Sequence, residues 1–182
     1  MWLSWESRQS MEVLISAERI RERVDAMGAE IAADYVGRPL TVVGVLTGCL
    51  VFLADLIRRL NHPTQIALIQ ASSYRGTATT PGELIVKGEM LPDLHGRHLL
   101  ILDDILDTGQ TITKLVEYLS SRGAASVRTC VLLQKIGRQQ VEFQADYVGF
   151  AIPDKFVVGY GLDFNDEFRH LPFIAVLPDS AS

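Results

Sequence analysis

Two adjacent carboxylates and the short polar turn after them are the residues of this sequence best suited to chemistry. Asp103 and Asp104 follow an apolar run at residues 98–102, and a helical pattern of apolar residues begins just beyond the turn. The residues of the turn that can contact a polar ligand are Asp107, Thr108, Gly109, Gln110 and Thr111. Ligands of open α/β proteins bind beyond the carboxyl ends of the strands, so a ligand is expected at this segment.

The composition of the turn favours a particular kind of ligand. A helix N-terminus offers free N–H groups and a positive dipole end to a phosphate, and Gly109 allows close approach to the backbone. Asp103 and Asp104 would repel a bare phosphate, but they can accept hydrogen bonds from sugar hydroxyls. A ribose 5-phosphate meets both requirements, because it carries a phosphate and a diol.

A second interpretation of the turn needs no ligand. Asp107 and Gln110 have the spacing of a capping box, in which the first residue caps a helix and the other reaches back to it. The capping box leaves Asp103 and Asp104 unexplained, since two charges at the end of a buried strand cost stability unless something binds them. The turn by itself is compatible with both interpretations.

Strand and helix patterns alternate around this segment. Ser16 is a suitable N-cap for an amphipathic helix that ends near Val36. Strands are predicted at residues 40–46, 65–71, 83–87, 98–102 and 127–133, helices at 50–60 and after the turn, and a long loop at 72–82. Strands that lead directly into helices predict an α/β fold with a parallel sheet covered on both faces.

The C-terminal part has a different pattern. Short strands at residues 147–152 and 173–177 are expected to form an appended hood. No repeat, low-complexity tract or linker divides the chain, so we expect a single domain over residues 1–182.

Composition and charge disfavour several classes of protein. The 17 Lys and Arg residues and 22 Asp and Glu residues give a net charge of −5, which provides no general attraction for nucleic acid. Cys49 and Cys130 lie in apolar runs without metal-binding spacing, which predicts buried, reduced thiols and a cytoplasmic location. The longest uncharged stretch, residues 39–54, has 16 residues, fewer than the ~20 of a membrane helix, and the sequence has no signal-peptide pattern.

Four stretches of the sequence resemble one known family. Residues 99–111 (LLILDDILDTGQT) resemble the phosphoribosyl pyrophosphate motif of the type I phosphoribosyltransferases. Residues 42–56, 72–76 and 153–174 extend the resemblance to the hypoxanthine-guanine phosphoribosyltransferases. The last of these stretches, PDKFVVGYGLDFNDEFRHLPFI, is typical of the branch that acts on 6-oxopurines.

The resemblance implies a fold and an activity. The fold would be a central, mostly parallel sheet flanked by helices, with a hood from about residues 150–182 and part of the N-terminus. The activity would be Mg²⁺-dependent transfer of the 5-phosphoribosyl group from phosphoribosyl pyrophosphate to N9 of hypoxanthine or guanine. The products would be IMP or GMP and pyrophosphate, in purine salvage. Relatives form homodimers or homotetramers, and neither a nucleic acid nor a membrane partner is implied.

The resemblance also implies roles for individual residues. Asp107 matches the proposed general base near purine N7. The positions that match phosphoribosyl pyrophosphate-binding residues are Leu46, Thr47, Gly48, Ser73, Tyr74, Asp103, Asp104, Thr108, Gly109, Gln110, Thr111 and Arg169. The positions that match purine-binding residues are Ile105, Lys135, Phe156, Val157 and Asp163. The candidate Mg²⁺ ligands are Asp103, Asp104 and Asp163.

Two residues depart from the family's pattern. Thr47 stands where relatives usually have Lys or Arg, which puts the affinity for the diphosphate in doubt. Asp103 replaces the more common Glu and shortens the reach to the sugar by one methylene. Thr47 also favours an alternative function, in which the protein has the same fold but is a regulatory nucleotide- or RNA-binding protein.

Two further alternatives agree less well with the order of the segments. In a phospho-acceptor receiver domain a pair of adjacent acidic residues ends the first strand, whereas about 100 residues precede Asp103 here. An aspartic protease has the Asp-Thr-Gly triplet followed by β-structure, whereas a helical pattern follows Gly109.

Overall fold

Strands and helices alternate along the chain in the computed structural model, which describes residues 11–73, 84–87 and 91–177. The helices are α1 (Ala17–Asp34), α2 (Leu50–Ile57) and α3 (Gln110–Ser120). The strands are β1 (Glu12–Ile15), β2 (Leu40–Leu46), β3 (Thr64–Ser73), β4 (Leu84–Lys87), β5 (His98–Leu106), β6 (Ser126–Lys135), β7 (Tyr147–Ile152), β8 (Val157–Val158) and β9 (Ile174–Val176).

The main sheet has the order β4-β3-β2-β5-β6-β7 within the described residues. The pairs β3–β2, β2–β5, β5–β6 and β6–β7 are parallel, and only β4 at the edge is antiparallel to its neighbour. The predicted parallel sheet is therefore confirmed. The placement of residues 147–152 in a hood is wrong, because Tyr147–Ile152 pairs with β6 as a strand of this sheet.

Strand β5 is longer than the sequence predicts. The charges of Asp103 and Asp104 indicate an end at Leu102, but pairing with β6 continues through Asp103 opposite Val131 and Ile105 opposite Leu133. Backbone hydrogen bonds to β6 maintain the strand whatever the polarity of its side chains. Asp103 and Asp104, which we call the acid pair, consequently belong to a strand and not to a loop.

Alternating side chains of the central strands supply the cores on the two faces of the sheet. Val42, Leu100 and Leu102 belong to one core, together with residues of α1 and α2. Val43 and Ile101 belong to the other core, which contains the apolar side of α3. Burial on both faces explains why these strands are almost continuously apolar in sequence.

The helix boundaries follow local signals closely. The Ser16 hydroxyl accepts a hydrogen bond from Arg19 N at 3.4 Å, as an N-cap does, and α1 ends at Asp34. Helix α2 ends at Ile57, three residues before the predicted end at Leu60. The predicted loop at 72–82 falls mostly outside the described residues, although β3 continues as far as Ser73.

A second, three-stranded sheet joins the two ends of the described chain. Its order is β1-β9-β8, and all of its pairs are antiparallel. Val176 of β9 pairs with Glu12 on one side and Val157 on the other. Because Val157 is paired in this sheet, the sheet also fixes the position of the segment that precedes Val157.

The two cysteines are buried thiols, as their apolar surroundings in the sequence predict. Cys49 and Cys130 are buried and form no disulfide, and burial raises the pKa of the Cys49 thiol to about 12. No helix in the described part of the chain combines the length and the apolar character needed to cross a membrane.

Candidate active site

Three strand ends meet at the carboxyl edge of the main sheet. Strand β2 ends at Leu46, β5 carries Asp103 and Asp104 near its end, and β6 ends at Lys135. The peptide bond between Leu46 and Thr47 is cis. Parallel pairing of these strands therefore brings acidic, basic and loop residues that are far apart in sequence together at this edge of the sheet.

Gly48 brings three segments into close contact. A Cβ atom at this position would lie 1.6 Å from Asp104 Oδ2, so a side chain here would force the Asp104 carboxylate to move. A Cβ atom on Gly161, which has a φ of +102°, would lie 2.2 Å from the Gly48 carbonyl oxygen. The β2–α2 loop thus packs against the acid pair and the C-terminal segment with no space for side chains between them.

The polar turn after β5 does not form the capping box. Helix α3 begins at Gln110, and its N-cap is Gly109, which has a φ of 83° and supplies no side-chain cap. The Gln110 side chain donates to Gln140 Oε1 at 2.8 Å instead of reaching back to the start of the helix. The positive φ explains the glycine, since this backbone conformation is unfavourable for other residues.

The acid pair is electrostatically strained. Burial among the surrounding protein atoms, and then the adjacent Asp104 charge, raise the pKa of Asp103 well above its ordinary value. Burial also raises the pKa of Asp104, although the nearby Arg169 charge opposes this effect. The two residues are linked by a hydrogen bond from Asp104 N to Asp103 Oδ1 at 3.0 Å and by a side-chain hydrogen bond that lowers the pKa of Asp104. A ligand that donates to these carboxylates would relieve the strain.

A cavity of about 290 Å³ lies between the acid pair, the Gly48 loop and the start of α3. Its lining includes these candidate residues: Leu46, Thr47, Gly48, Asp103, Asp104, Ile105, Asp107, Thr108, Gly109, Thr111, Asp163 and Arg169. The structure therefore brings together most of the residues that were assigned to phosphoribosyl pyrophosphate from the sequence. We call this space the anion cavity.

The C-terminal segment closes one side of the anion cavity. Arg169 donates to the Gly161 carbonyl at 2.8 Å and pairs with Asp163 Oδ1 at 2.8 Å. The other oxygen of Asp163 accepts from Asp166 N at 2.8 Å. Positive φ angles at Tyr160, Gly161 and Asp166 produce the tight turns that these bonds require.

A second cavity of about 220 Å³ adjoins the first and shares acidic residues with it. It is lined by Asp104, Ile105, Asp107, Lys135, Phe156, Val157, Leu162 and Asp163. Phe156 meets Phe164 edge to face at 5.6 Å and is 45% exposed, so part of its ring is open to solvent beside the cavity. The residues assigned to the purine thus line one space, which we call the base cavity.

Three of the predicted site residues are not among the residues that line the two cavities. Gln110 is engaged with Gln140 and does not line the anion cavity. Ser73 ends β3, and Tyr74 lies outside the described residues. The three candidate metal ligands all line the anion cavity. No group of three or more acidic, histidine or cysteine residues in the described ranges could by itself hold a metal ion.

Comparison with known proteins agrees with this geometry. Residues 14–165 match the model of the phosphoribosyl transferase domain. The chain is 39% identical over 168 residues to a hypoxanthine-guanine phosphoribosyltransferase of Streptococcus pneumoniae, covering 92% of this chain and 93% of the relative. It is 41% identical over 165 residues to the Staphylococcus epidermidis enzyme of the same name, covering 91% and 92%.

A solved structure matches as well. The crystal structure of a hypoxanthine phosphoribosyltransferase from Staphylococcus aureus superposes with a TM-score of 0.90 at 36% identity, over 99% of this chain and 98% of that one. The chain belongs to the hypoxanthine-guanine phosphoribosyltransferases. The sheet and its flanking helices are accordingly the type I phosphoribosyltransferase fold.

One departure from the family's pattern can be located in the structure. Thr47 is exposed at the mouth of the anion cavity, at the position where family members usually carry Lys or Arg. Arg169 is the cation that lines this cavity.

Sequence reasoning missed two charged residues near the base cavity. Arg138 Nε lies 3.1 Å from Asp107 Oδ1, and its Nη1 lies 3.5 Å from Asp154 Oδ2. Asp154 Oδ1 in turn lies 3.2 Å from Lys135 Nζ. Arg138 follows Lys135 by three residues in the turn after β6, and this proximity to a candidate residue was the available signal.

We predict that Gly48→Ala lowers the free energy of unfolding by about 1–3 kcal/mol, the usual cost of overpacking. The new methyl group would collide with Asp104, as the Cβ distance of 1.6 Å requires. Urea unfolding measures the effect. The double variant Gly48→Ala/Asp104→Ala removes the colliding carboxylate and should regain most of the loss. Strict additivity of the two substitutions would contradict the proposed collision.

We also predict a specific pH dependence of stability. The raised pKa of Asp103 means that the folded state holds its proton to a higher pH than the unfolded chain. The free energy of unfolding therefore falls as the pH rises from about 4 through the raised pKa. Asp103→Asn should reduce this fall and stabilise the protein at neutral pH by about 1 kcal/mol or more, the equivalent of one unit of pKa.

Urea unfolding at several pH values measures this dependence, with Asp93→Asn as a control because that carboxylate is exposed. If Asp103→Asn and wild type lose stability in parallel as the pH rises, the acid pair is not strained.

Proposed function

We propose that the protein transfers the 5-phosphoribosyl group from phosphoribosyl pyrophosphate to N9 of hypoxanthine or guanine. The products are IMP or GMP and pyrophosphate, and the role is purine salvage. The observation that carries the proposal is the pair of adjoining cavities that share Asp104, Asp107 and Asp163. One cavity suits a phosphorylated sugar and the other a planar base, so the shared side chains face the bond between them.

The anion cavity holds the phosphoribosyl group in this proposal. The amides at the start of α3 and the hydroxyls of Thr108 and Thr111 bind the 5-phosphate. Asp103 and Asp104 accept hydrogen bonds from the 2- and 3-hydroxyls of ribose, which compensates the strain of the acid pair. Arg169 and the backbone of residues 46–48 bind the pyrophosphate.

The base cavity holds the purine. Phe156 stacks on the ring, and the backbone of Val157 contacts its edge. Lys135 donates from Nζ to the 6-oxo group and rejects the 6-amino group of adenine, which offers donors instead of an acceptor. Lys135 keeps this capacity beside Asp154, since an ammonium group has three N–H donors.

The reaction exchanges one bond at the anomeric carbon for another. The bond from C1 to the pyrophosphate oxygen breaks while the bond from C1 to purine N9 forms, and the ribose carries positive charge in the transition state. Asp107 accepts the proton of N7 with the carboxylate oxygen that Arg138 leaves free. The two cavities align the base with the sugar, so the reaction needs little further ordering.

The acidic residues fit Mg²⁺ of the kind that phosphorylated substrates bring with them. Mg²⁺ is usually held by one or two carboxylates, several waters and substrate phosphates instead of a complete protein cage. Asp163, Asp103 and Asp104 are the carboxylates available for this purpose at the anion cavity. When bound, the ion would neutralise charge on the departing diphosphate.

The wider context of the protein is also a proposal. We infer a single domain in the cytoplasm that binds no nucleic acid and forms a homodimer or homotetramer. Leu50, Ile66 and Leu68 support self-association, because these apolar side chains are 40–50% exposed. Exposed apolar patches of this kind commonly mark protein contacts.

The decisive experiment measures pyrophosphate release from phosphoribosyl pyrophosphate with Mg²⁺ and one base at a time. Hypoxanthine, guanine, xanthine, adenine and uracil are tested separately. We expect turnover with hypoxanthine or guanine and none with adenine or uracil. If no base reacts although a nucleotide raises the melting temperature, the regulatory alternative replaces this proposal, and Thr47→Lys then tests whether the missing cation is responsible.

Asp107→Ala should lower kcat by about 10²-fold or more, the scale of losing a general base. The melting temperature should hardly change, because the Asp107–Arg138 pair is largely exposed and such pairs contribute at most about 1 kcal/mol. Steady-state kinetics and thermal unfolding test the two expectations. Asp93→Ala is the control, and unchanged turnover in Asp107→Ala would remove Asp107 from the mechanism.

Lys135→Ala should raise KM for the purine by about tenfold or more while leaving KM for phosphoribosyl pyrophosphate nearly unchanged. Asp154→Asn keeps Lys135 but removes its charged partner, so a smaller change in the same direction is expected. Initial-rate kinetics with each substrate varied in turn make the comparison. An equal rise in both KM values would contradict the assignment of Lys135 to the base.

A further inference from the structure

A third cavity lies at the opposite end of the main sheet from the anion and base cavities. It has a volume of about 560 Å³. Its lining comes from the residues before β2 and β5 and around the start of β3: Tyr35, Gly37, Arg38, Pro39, His62, Pro63, Thr64, Gln65 and Arg97. The seven residues of β2 separate it from Leu46 by about 20 Å. It is therefore independent of the site described above.

The charged groups of this cavity are cationic. Arg38 and Arg97 line it, and none of its lining residues is acidic. Arg97 donates from Nε to Thr41 Oγ1 at 2.5 Å and from Nη2 to the Leu40 carbonyl at 2.6 Å, which fixes the guanidinium in place. Asp34 and Asp146 are the carboxylates whose charges act on Tyr35, and both already pair with Arg128. The two arginines thus present positive charge without an ion-pair partner among the described residues.

Unsatisfied polar atoms are concentrated at the same place. Among the described residues, the buried side-chain polar atoms without a hydrogen-bond partner are Tyr35 Oη and His62 Nε2. Both residues line this cavity. Burial raises the pKa of Tyr35 to about 12, so its hydroxyl stays protonated and can donate. A buried polar atom left without a partner is costly, and a ligand in the cavity would supply one.

We propose that this cavity is a second ligand site, for a small phosphate-bearing molecule whose anionic group lies between Arg38 and Arg97. Guanidinium groups bind phosphate in a fixed, two-pronged geometry, and Arg97 is already oriented. The cavity is much larger than one phosphate ion needs, and Pro39, Pro63 and the Tyr35 ring provide apolar walls. The ligand therefore carries an organic part whose polar atoms hydrogen-bond to Tyr35 and His62.

Histidine NMR distinguishes this site from the carboxyl edge of the sheet. The four histidines are His62 in the cavity, His98 beside Tyr35, His95 outside both sites, and His170 next to Arg169. Full-length protein labelled with ¹⁵N-histidine is titrated with inorganic phosphate and then with ribose 5-phosphate, at constant ionic strength. We expect a saturable shift of His62 with both, and tighter binding of ribose 5-phosphate.

Arg38→Gln should weaken the His62 response about tenfold, as expected for the loss of a charge-assisted hydrogen bond. Arg38 is exposed, so this variant should fold normally. Arg21→Gln is the matched control, because it removes the same charge from an exposed position of α1 outside the cavity. The His62 response in this variant should equal that of wild type.

Several results would overturn the proposal. A shift of His170 without a shift of His62 would place phosphate binding at the carboxyl edge alone. Equal weakening in Arg38→Gln and Arg21→Gln would indicate general charge attraction instead of a site. Inorganic phosphate that binds as tightly as ribose 5-phosphate would exclude an organic part from the recognised ligand.

Discussion

The close packing around Gly48 is the constraint on which the arrangement of the site depends. The loop after β2 touches the Asp104 carboxylate on one side and the backbone of Gly161 on the other. The Asp104 contact is made by a short side chain and the Gly161 contact by backbone, and together they join the centre of the sheet to the C-terminal segment at close range. The Gly48 loop and the strand that carries Asp104 are two walls of the anion cavity, and they are packed directly against each other.

The charges near the site act against stability before a ligand binds. Asp103 and Asp104 are adjacent, partly desolvated and raised in pKa, although hydrogen bonds, chiefly one with the Asp103 side chain, and the Arg169 charge oppose the rise for Asp104. Proteins retain such pairs where binding a ligand offsets the cost. The Lys135–Asp154–Arg138–Asp107 chain of ion pairs has exposed members, so it contributes little to stability and serves to orient the side chains of the base cavity.

The second sheet explains how the C-terminal segment reaches the site. Strand β9 pairs with β1 on one side and β8 on the other, and Leu177 N donates to the Phe156 carbonyl at 2.9 Å. Val158, Phe168 and Leu177 form a small core of their own beneath this sheet. The aromatic wall of the base cavity is thus anchored by the N-terminal strand, which comes from the other end of the chain.

Much of the site could be predicted from the sequence because its signals are local. The apolar runs of β2, β5 and β6, the Ser16 cap and the polar turn at Asp107 each depend on neighbouring residues. The motif at residues 99–111 indicated the type I phosphoribosyltransferases, and the stretch at residues 153–174 indicated the 6-oxopurine branch. The tertiary structure decided the features that depend on contacts between residues far apart in sequence. Pairing with β6 extended β5 through the acid pair and brought Tyr147–Ile152 into the main sheet.

Long-range contacts also decided details of the chemistry that no local pattern contains. Gly109 is the helix cap, and Asp107 faces Arg138, a residue 31 positions further along the chain. The cationic cavity at the opposite end of the sheet combines Tyr35, His62 and Arg97, which are separated in sequence and share no motif. Sequence spacing encodes what neighbouring residues do together, whereas such clusters exist only after the strands have paired in register.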